Sequence, residues 1–333
     1  MSNYQASHNR YEQSRYSKCG NSGLKLPYVS LGLWHNFGGQ DNQKTALDML
    51  LRAFDLGITH FDLANNYGPP AGSAESFFGE VISGPLKPYR DELIVSTKAG
   101  YGMWPGPYGD WGSRKYLVAS LDQSLQRMQL DYVDIFYHHR RDTDTPLEET
   151  MQTLSDIVRN GKALYVGLSN YNAADLLEAN SILSKSGTPC IVNQPKFSML
   201  DRTIEQQGVL DAAKSAGIGT VPFSPLAQGL LSNKYLNGIP KHSRASNPDS
   251  FLQSEQITQE VLNKVTLLNE LAQQRGQSLP QLAISWIHAK PSITSCIIGA
   301  SKVSQIEELV ATQHQAPLTE QEMKMIDVIL TSD

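Results

Sequence analysis

Clustered charge of one sign is missing from this chain. Its 333 residues carry 28 lysines and arginines against 33 aspartates and glutamates, a net charge of -5. That mild acidity weighs against nonspecific binding to nucleic acid or an anionic membrane, which needs clustered cations to displace counterions. Cysteine is scarce as well. Cys19, Cys190 and Cys296 are widely separated and odd in number, so neither a disulfide framework nor a cysteine metal cluster is expected. Apolar runs such as Ile293 to Ala300 are far too short to span a bilayer. The polar opening MSNYQASHNRYEQSRY contains no signal-peptide apolar stretch. These absences lead to the expectation of a soluble cytoplasmic protein. No His-Glu-x-x-His and no phosphate loop of the Gly-Lys-Ser/Thr kind occurs, so no metal is expected. The nearest approach to a dinucleotide fingerprint, GIGTVP from Gly217 to Pro222, has Pro where the third Gly belongs.

What is present is an alternation of short strands and helices. Leu26 to Trp34 reads as a strand, and the following helix, from Gln43, stops at Gly57. Ile58 to Asp62, Glu92 to Lys98, Tyr132 to His139, Ala163 to Ser169, Cys190 to Gln194, Ile218 to Ser224 and Ser292 to Gly299 complete eight strands. Between them lie helical stretches, among them Ser73 to Ile82, Ser113 to Leu130, Ala173 to Gly187 and Ile204 to Gly217. Another opens on Thr145, Pro146 and Glu148, read as a cap, a first helical Pro and an acidic third position, and ends at Asn160-Gly161. Eight such units predict a closed parallel (β/α)8 TIM barrel in one domain spanning 1–333, since the length exceeds the roughly 250 residues a barrel needs. The surplus predicts an N-terminal hairpin plug over Arg15 to Leu26, a long loop from Ala99 to Ser113, an insertion after the seventh strand, and an extra C-terminal helix opening on the capping box Thr319 to Glu322.

Barrel chemistry gathers at the C-terminal ends of strands. The residues predicted there are Trp34, Asp62, Lys98, His139, Ser169, Gln194, Ser224 and Gly299, with Tyr67 just beyond the second strand. Asp, Tyr, Lys and His on one rim fit proton donation by a phenol. Moving a tyrosine from its ordinary pKa of about 10 toward neutrality takes about 4 kcal/mol, which one ammonium at contact distance supplies at an effective dielectric near 20. Lys98 is the candidate for that charge, Asp62 for holding it, and His139 for orienting a carbonyl oxygen. A lysine there also suits a Schiff-base aldolase, although Asp62 and Tyr67 beside it favour a charged amine.

The motifs FDLANNYG, STKAGYGMWPGPYG, DIFYHHR, YVGLSNY, VNQPKFSML, FSPLAQGLLSNKYL, GIPKHSRA and IIGASKVSQIEEL together resemble the aldo-keto reductase superfamily. The likeness runs over nearly the whole chain and is strongest to the branch holding the bacterial L-glyceraldehyde 3-phosphate reductases, which also act on methylglyoxal, and the β subunits of voltage-gated potassium channels. It implies reduction of small aldehydes with NADPH as hydride donor (NADP+ as product) and a catalytic set of Asp62, Tyr67, Lys98 and His139. His138 is the packing neighbour, because adjacent strand residues point opposite ways. For the cofactor the resemblance implies Trp34, Asp62, Ser169, Asn170, Gln194 and Phe223 around the nicotinamide. It implies Ser224, Pro225, Leu226, Gln228, Gly229, Leu230 and Lys234 over the pyrophosphate, and Arg244, Gly299, Ser301, Gln305 and Glu308 around the adenosine phosphate. Leu309 stands where the family often has Asn. Trp34, Tyr67, Tyr101, Met103, Trp104, Trp111 and His139 are the expected substrate surround, though an aromatic loop also packs on itself. Arg114, Arg140 and Arg141 either attract a phosphorylated triose or are solvated. A regulatory, slowly turning-over subunit of the channel type is the competing role, and His139, where those subunits commonly have Asn, favours the enzyme. The branch also implies a homo-oligomer, tetrameric or larger.

Overall fold

The computed structural model describes residues 4–236, 238–241, 244–246 and 252–331, Arg244 by its backbone alone. A hairpin of β1 (Tyr16–Lys18) and β2 (Lys25–Pro27) comes first, followed by β3 (Val29–Gly32), α1 (Gln43–Asp55), β4 (His60–Asp62), α2 (Ser73–Ser83) and β5 (Ile94–Ala99). The alternation continues through α3 (Arg114–Met128), β6 (Val133–His138), α4 (Leu147–Arg159), β7 (Ala163–Ser169), α5 (Ala173–Lys185) and β8 (Cys190–Gln194). It ends with α6 (Thr203–Gln206), α7 (Val209–Ser215), β9 (Gly219–Thr220), α8 (Gln259–Gln274), α9 (Leu279–His288), β10 (Cys296–Ile298), α10 (Val303–Val310) and α11 (Glu320–Thr331).

Eight parallel strands run in the order β10-β3-β4-β5-β6-β7-β8-β9. Backbone bonds from Thr220 N to Ser292 O, Thr294 N to Thr220 O and Ile297 N to Pro222 O, each 2.9 Å, join the two ends. The sheet is therefore a closed (β/α)8 barrel. The predicted strand Ile218 to Ser224 is cut to two residues because Pro222 has no N–H to donate to the ladder. The predicted strand Leu26 to Trp34 divides at Tyr28: its first part turns back to pair antiparallel with β1, and only the second joins the barrel. That hairpin plugs the N-terminal end. Cys19 and Leu26 are fully buried among the interior residues Ile135, Tyr137, Val192 and Val221. Gly20, at φ 53, lies so close to Gly217 O that a Cβ would sit 2.2 Å from it.

The helices form the outer layer, and their starts are capped as side chains dictate. Asn42, Ser113 and Asn172 accept the backbone N–H groups of Thr45, Tyr116 and Asp175, and Thr319 and Glu322 form the expected reciprocal box at α11. α4 departs from expectation: Pro146 is the cap residue, because the Thr145 hydroxyl is taken by Asp142 at 2.6 Å. The predicted helix Ile204 to Gly217 breaks into α6 and α7 at Gly208, whose φ of 72° interrupts the helical backbone. Leu50, Phe54, Phe78, Leu154 and Trp286 are buried between barrel and helices, each worth roughly 1.5–3 kcal/mol of apolar burial. No helix among the described residues is long and apolar enough to cross a membrane.

Candidate active site

The site grows out of strand alternation. In β4 the side chains of His60 and Asp62 share one face, and in β5 those of Ser96 and Lys98 do. The register sets Asp62 opposite Ser96, so Lys98 reaches Asp62 from one pair further along. Lys98 Nζ lies 2.6 Å from Asp62 Oδ2, 2.6 Å from the Leu63 carbonyl and 3.4 Å from the Tyr67 hydroxyl oxygen. Three acceptors around one nitrogen match the three N–H bonds of an ammonium. The lysine thus donates to the phenol oxygen, which leaves the phenol's own proton free to point elsewhere.

The backbone holds Tyr67 in place. Its carbonyl accepts the N–H of Gly72 at 3.0 Å, and Gly38 packs against the following turn so closely that a Cβ there would sit 2.8 Å from Pro69 O. Its ring lies 6.4 Å from Trp34 and edge-on to His139 at 6.2 Å.

The electrostatics differ from expectation. Burial, then the Asp62 carboxylate and the Tyr101 phenol, holds the Tyr67 pKa well above the ordinary tyrosine range. Lys98 spends its charge on Asp62 and Leu63 O, and one ammonium does not offset the desolvation of a phenol. Tyr67 is accordingly a neutral, proton-bearing group, and the expected lowering by Lys98 does not occur. Burial pushes the Lys98 pKa down from the usual lysine value while the Asp62 carboxylate opposes it. Burial, then Lys98, His138 and Arg140, drives His139 well below the usual histidine range, so it is a neutral imidazole.

A second set of hydrogen bonds ties this group to the neighbouring strand ends. Gln194 Nε2 donates to Asp62 Oδ1 at 3.0 Å, Ser169 Oγ to the Gln194 carbonyl at 2.7 Å, and Asn170 Nδ2 to the His139 carbonyl at 3.0 Å. Asp62, Lys98, Tyr67, His139, Ser169, Asn170 and Gln194 therefore belong to one constellation. His138 points away from it and shares a 2.6 Å hydrogen bond with the Tyr171 hydroxyl.

The remaining sequence candidates occupy the same rim. Phe223, half-buried, lies three residues beyond the short seventh barrel strand and donates its N–H to the Pro195 carbonyl at 2.9 Å. Beyond it Ser224, Ala227, Gln228 and Gly229 all have positive φ, in a turn that runs through Pro225 and Leu226 to the buried Leu230. Three consecutive left-handed residues tighten this turn, and its Ala227, Gly229 and Leu230 N–H groups donate to the Ser224, Leu226 and Ala227 carbonyls at 2.9, 2.8 and 3.2 Å. Lys234 lies exposed in the next turn. After β10 comes exposed Gly299, then Ser301, whose N–H and hydroxyl both meet Gln305 Oε1 at 2.8 and 3.2 Å. Glu308 is half-buried on α10 and Leu309 faces the core. The Arg244 backbone lies in the 3-10 turn Arg244–Ser246, while its side chain falls outside the described residues.

The aromatic loop divides. Tyr101 sits edge-on to His139 at 4.7 Å, whereas Trp104 packs on Tyr116 at 5.3 Å and Met103 against the core. Trp111 is 44% exposed and carries the Arg140 guanidinium 3.5 Å above its ring. Arg140 also lies 4.2 Å from the Tyr101 ring centroid and pairs with Asp110 at 2.8 Å. Arg114 pairs with Asp156 and lies apart from the mouth on α3. Arg141 faces Asp175 at 3.8 Å.

Sequence reasoning passed over His60, Ser96 and the Leu63 carbonyl. The two side chains had a signal, since each stands two residues before a candidate on the same strand and so shares its face.

The aldo/keto reductase family model matches residues 28–331. The L-glyceraldehyde 3-phosphate reductase of Escherichia coli K12 is 52% identical over 321 residues, covering 96% of this chain and 93% of that protein. A probable voltage-gated potassium channel subunit beta of Arabidopsis thaliana is 36% identical over 307 residues, covering 91% and 92%, and one of Oryza sativa subsp. japonica is 35% identical over 322 residues, covering 96% and 97%. The fold, the rim constellation and these similarities agree, and the chain belongs to the aldo/keto reductase family.

Proposed function

We propose that this protein reduces small aldehydes to alcohols with NADPH, L-glyceraldehyde 3-phosphate and methylglyoxal being the substrates to try first. The observation that carries the reading is the neutral, half-buried Tyr67 whose oxygen faces the Lys98 ammonium while its own proton is free. The residues fit a nicotinamide dinucleotide. Ser169, Asn170 and Gln194 offer the donors and acceptors a carboxamide needs, and the tight left-handed turn from Ser224 to Gly229 is the segment assigned to the pyrophosphate. When bound, NADPH supplies the hydride.

The chain's own groups manage the proton. Tyr67 Oη gives its proton to the carbonyl oxygen, and the Lys98 N–H at 3.4 Å stabilises the phenolate left behind. Asp62 fixes the lysine and offsets its charge in a buried setting. His139, neutral across the physiological range, orients the carbonyl oxygen by a hydrogen bond rather than by charge. Arg140, stacked on Tyr101 beside His139, provides a cation for a phosphorylated triose. A Schiff-base role for Lys98 fits poorly, because an amine locked between a carboxylate and a carbonyl at 2.6 Å has no free lone pair.

The similarity to proteins named as channel beta subunits supports a second reading, a cofactor-binding protein with slow turnover. Following NADPH absorbance with each aldehyde separates the two. Turnover on a short aldehyde is expected; binding of NADPH without turnover on any of them would leave the second reading standing. Equal use of NADH would remove the role given to Arg244.

A further inference from the structure

Beneath Asp62 the barrel interior holds a line of hydrogen-bonded side chains that the proton-transfer scheme does not use. Ser295 Oγ lies 2.7 Å from Ser30 Oγ, Ser30 Oγ 2.8 Å from His60 Nδ1, His60 Nε2 2.9 Å from Ser96 Oγ, and Ser96 Oγ 2.7 Å from Asp62 Oδ1. The four supporting residues are 0% exposed; Ser295 immediately precedes β10, and Ser30, His60 and Ser96 come from β3, β4 and β5.

Each proton in this line has one place to go. An ionised carboxylate only accepts, so the single Ser96 proton belongs to Asp62. Ser96 must then accept from His60, which places the imidazole hydrogen on Nε2. A neutral imidazole protonated at Nε2 has a bare Nδ1, so Ser30 donates to it and accepts in turn from Ser295. Every donor points toward Asp62. Burial keeps His60 neutral, with a pKa down to about 4, and a neutral ring is what this chain of donors requires.

We propose that His60 is a positioning residue for the reaction: through Ser96 it orients the Asp62 carboxylate, and thereby fixes where Lys98 stands relative to Tyr67. The inference rests on the reading of Asp62, Lys98 and Tyr67 as the proton-transfer group. Ser96 donates to Oδ1, which leaves Oδ2 for Lys98. Without that donation Oδ1 keeps only the longer 3.0 Å bond from Gln194 Nε2, and the carboxylate is less constrained about its terminal torsion, where rotamer wells are broad.

The test uses the full chain labelled with nitrogen-15 histidine, together with Ser96→Ala and Ser96→Thr. In the parent, His60 is expected as the neutral Nε2–H tautomer with shifts constant across neutral pH. Ser96→Ala is expected to move the His60 signals and lower kcat about ten- to a hundredfold, the loss of one hydrogen bond to a charged group, with KM little changed. Ser96→Thr, which keeps the hydroxyl, restores both. Should Ser96→Ala fail to fold, Ser30→Ala tests the far end of the line and is expected to shift the His60 Nδ1 resonance. A His60 found protonated on Nδ1, or unchanged kcat and His60 signals in Ser96→Ala, overturns the proposal. Full turnover in Tyr67→Phe would defeat the proton-donor reading instead, and the His60 signals would then decide the relay separately.

Discussion

Lys98 Nζ lies 3.4 Å from the Tyr67 hydroxyl oxygen and 5.1 Å from the centre of its ring, with Asp62 on its other side at 2.6 Å. The ammonium is therefore shared unequally. Asp62 takes the short bond, and Tyr67 receives a longer one that matters once negative charge develops on its oxygen.

Lys98→Met is expected to abolish turnover and to lower stability by about 3–5 kcal/mol, because it strands the Asp62 carboxylate in the barrel interior. Adding Asp62→Asn should recover part of the stability and none of the activity. Urea midpoints of the single and double variants check the first statement, and assays check the second.

Three buried histidines and the half-buried His288 set an acid limit on the fold. Burial pushes His60 and His288 down to about 4 and His138 to about 3, and drives His139 well below the usual range. Unfolded histidines titrate near 6.5. Between those values the unfolded chain binds protons the native one does not, so stability is full above about pH 6.5 and falls as pH drops, by up to about 1.4 kcal/mol per pH unit for each histidine. Denaturation curves measured stepwise below pH 7 should show this decline, with none attributable to histidine above it.

Gly38→Ala should cost kcat. The added methyl would meet Pro69 O at 2.8 Å and push the turn that carries Tyr67; misplacing a reacting group by about 1 Å can cost a hundredfold. Gly39→Ala, whose nearest contact would be an ordinary 3.4 Å, is the control and should leave kcat unchanged.

Arg140→Leu separates two roles for one side chain. As a phosphate-binding group it should raise KM for L-glyceraldehyde 3-phosphate about tenfold or more, about 1.4 kcal/mol, while leaving methylglyoxal nearly unaffected. Equal losses on both substrates would make Arg140 a clasp for the loop through Asp110, Tyr101 and Trp111.

Much of this was legible in the sequence because it depends on local period. Strand ends are marked by apolar runs meeting turn formers, so Asp62, Lys98 and His139 fall where barrel geometry puts them. The signs that local period does not carry were missed. Nothing in the residues gives the register of β4 on β5, so Ser96 was not seen to face Asp62. The Leu63 carbonyl, a backbone atom, leaves no trace in residue type. The Tyr67 pKa was assigned the wrong direction because depth of burial outweighed the neighbouring charge. Gly208 and Pro222 broke a helix and a strand by effects that single residues exert against a longer pattern.

The direct measurement is NADPH consumption with L-glyceraldehyde 3-phosphate by the parent and by Tyr67→Phe, alongside a fluorescence titration of each with NADPH. The ring stays and only the hydroxyl leaves. A kcat lowered by about a hundredfold or more, with NADPH binding unchanged, is the predicted result; full turnover by Tyr67→Phe would contradict the assignment of Tyr67 as proton donor.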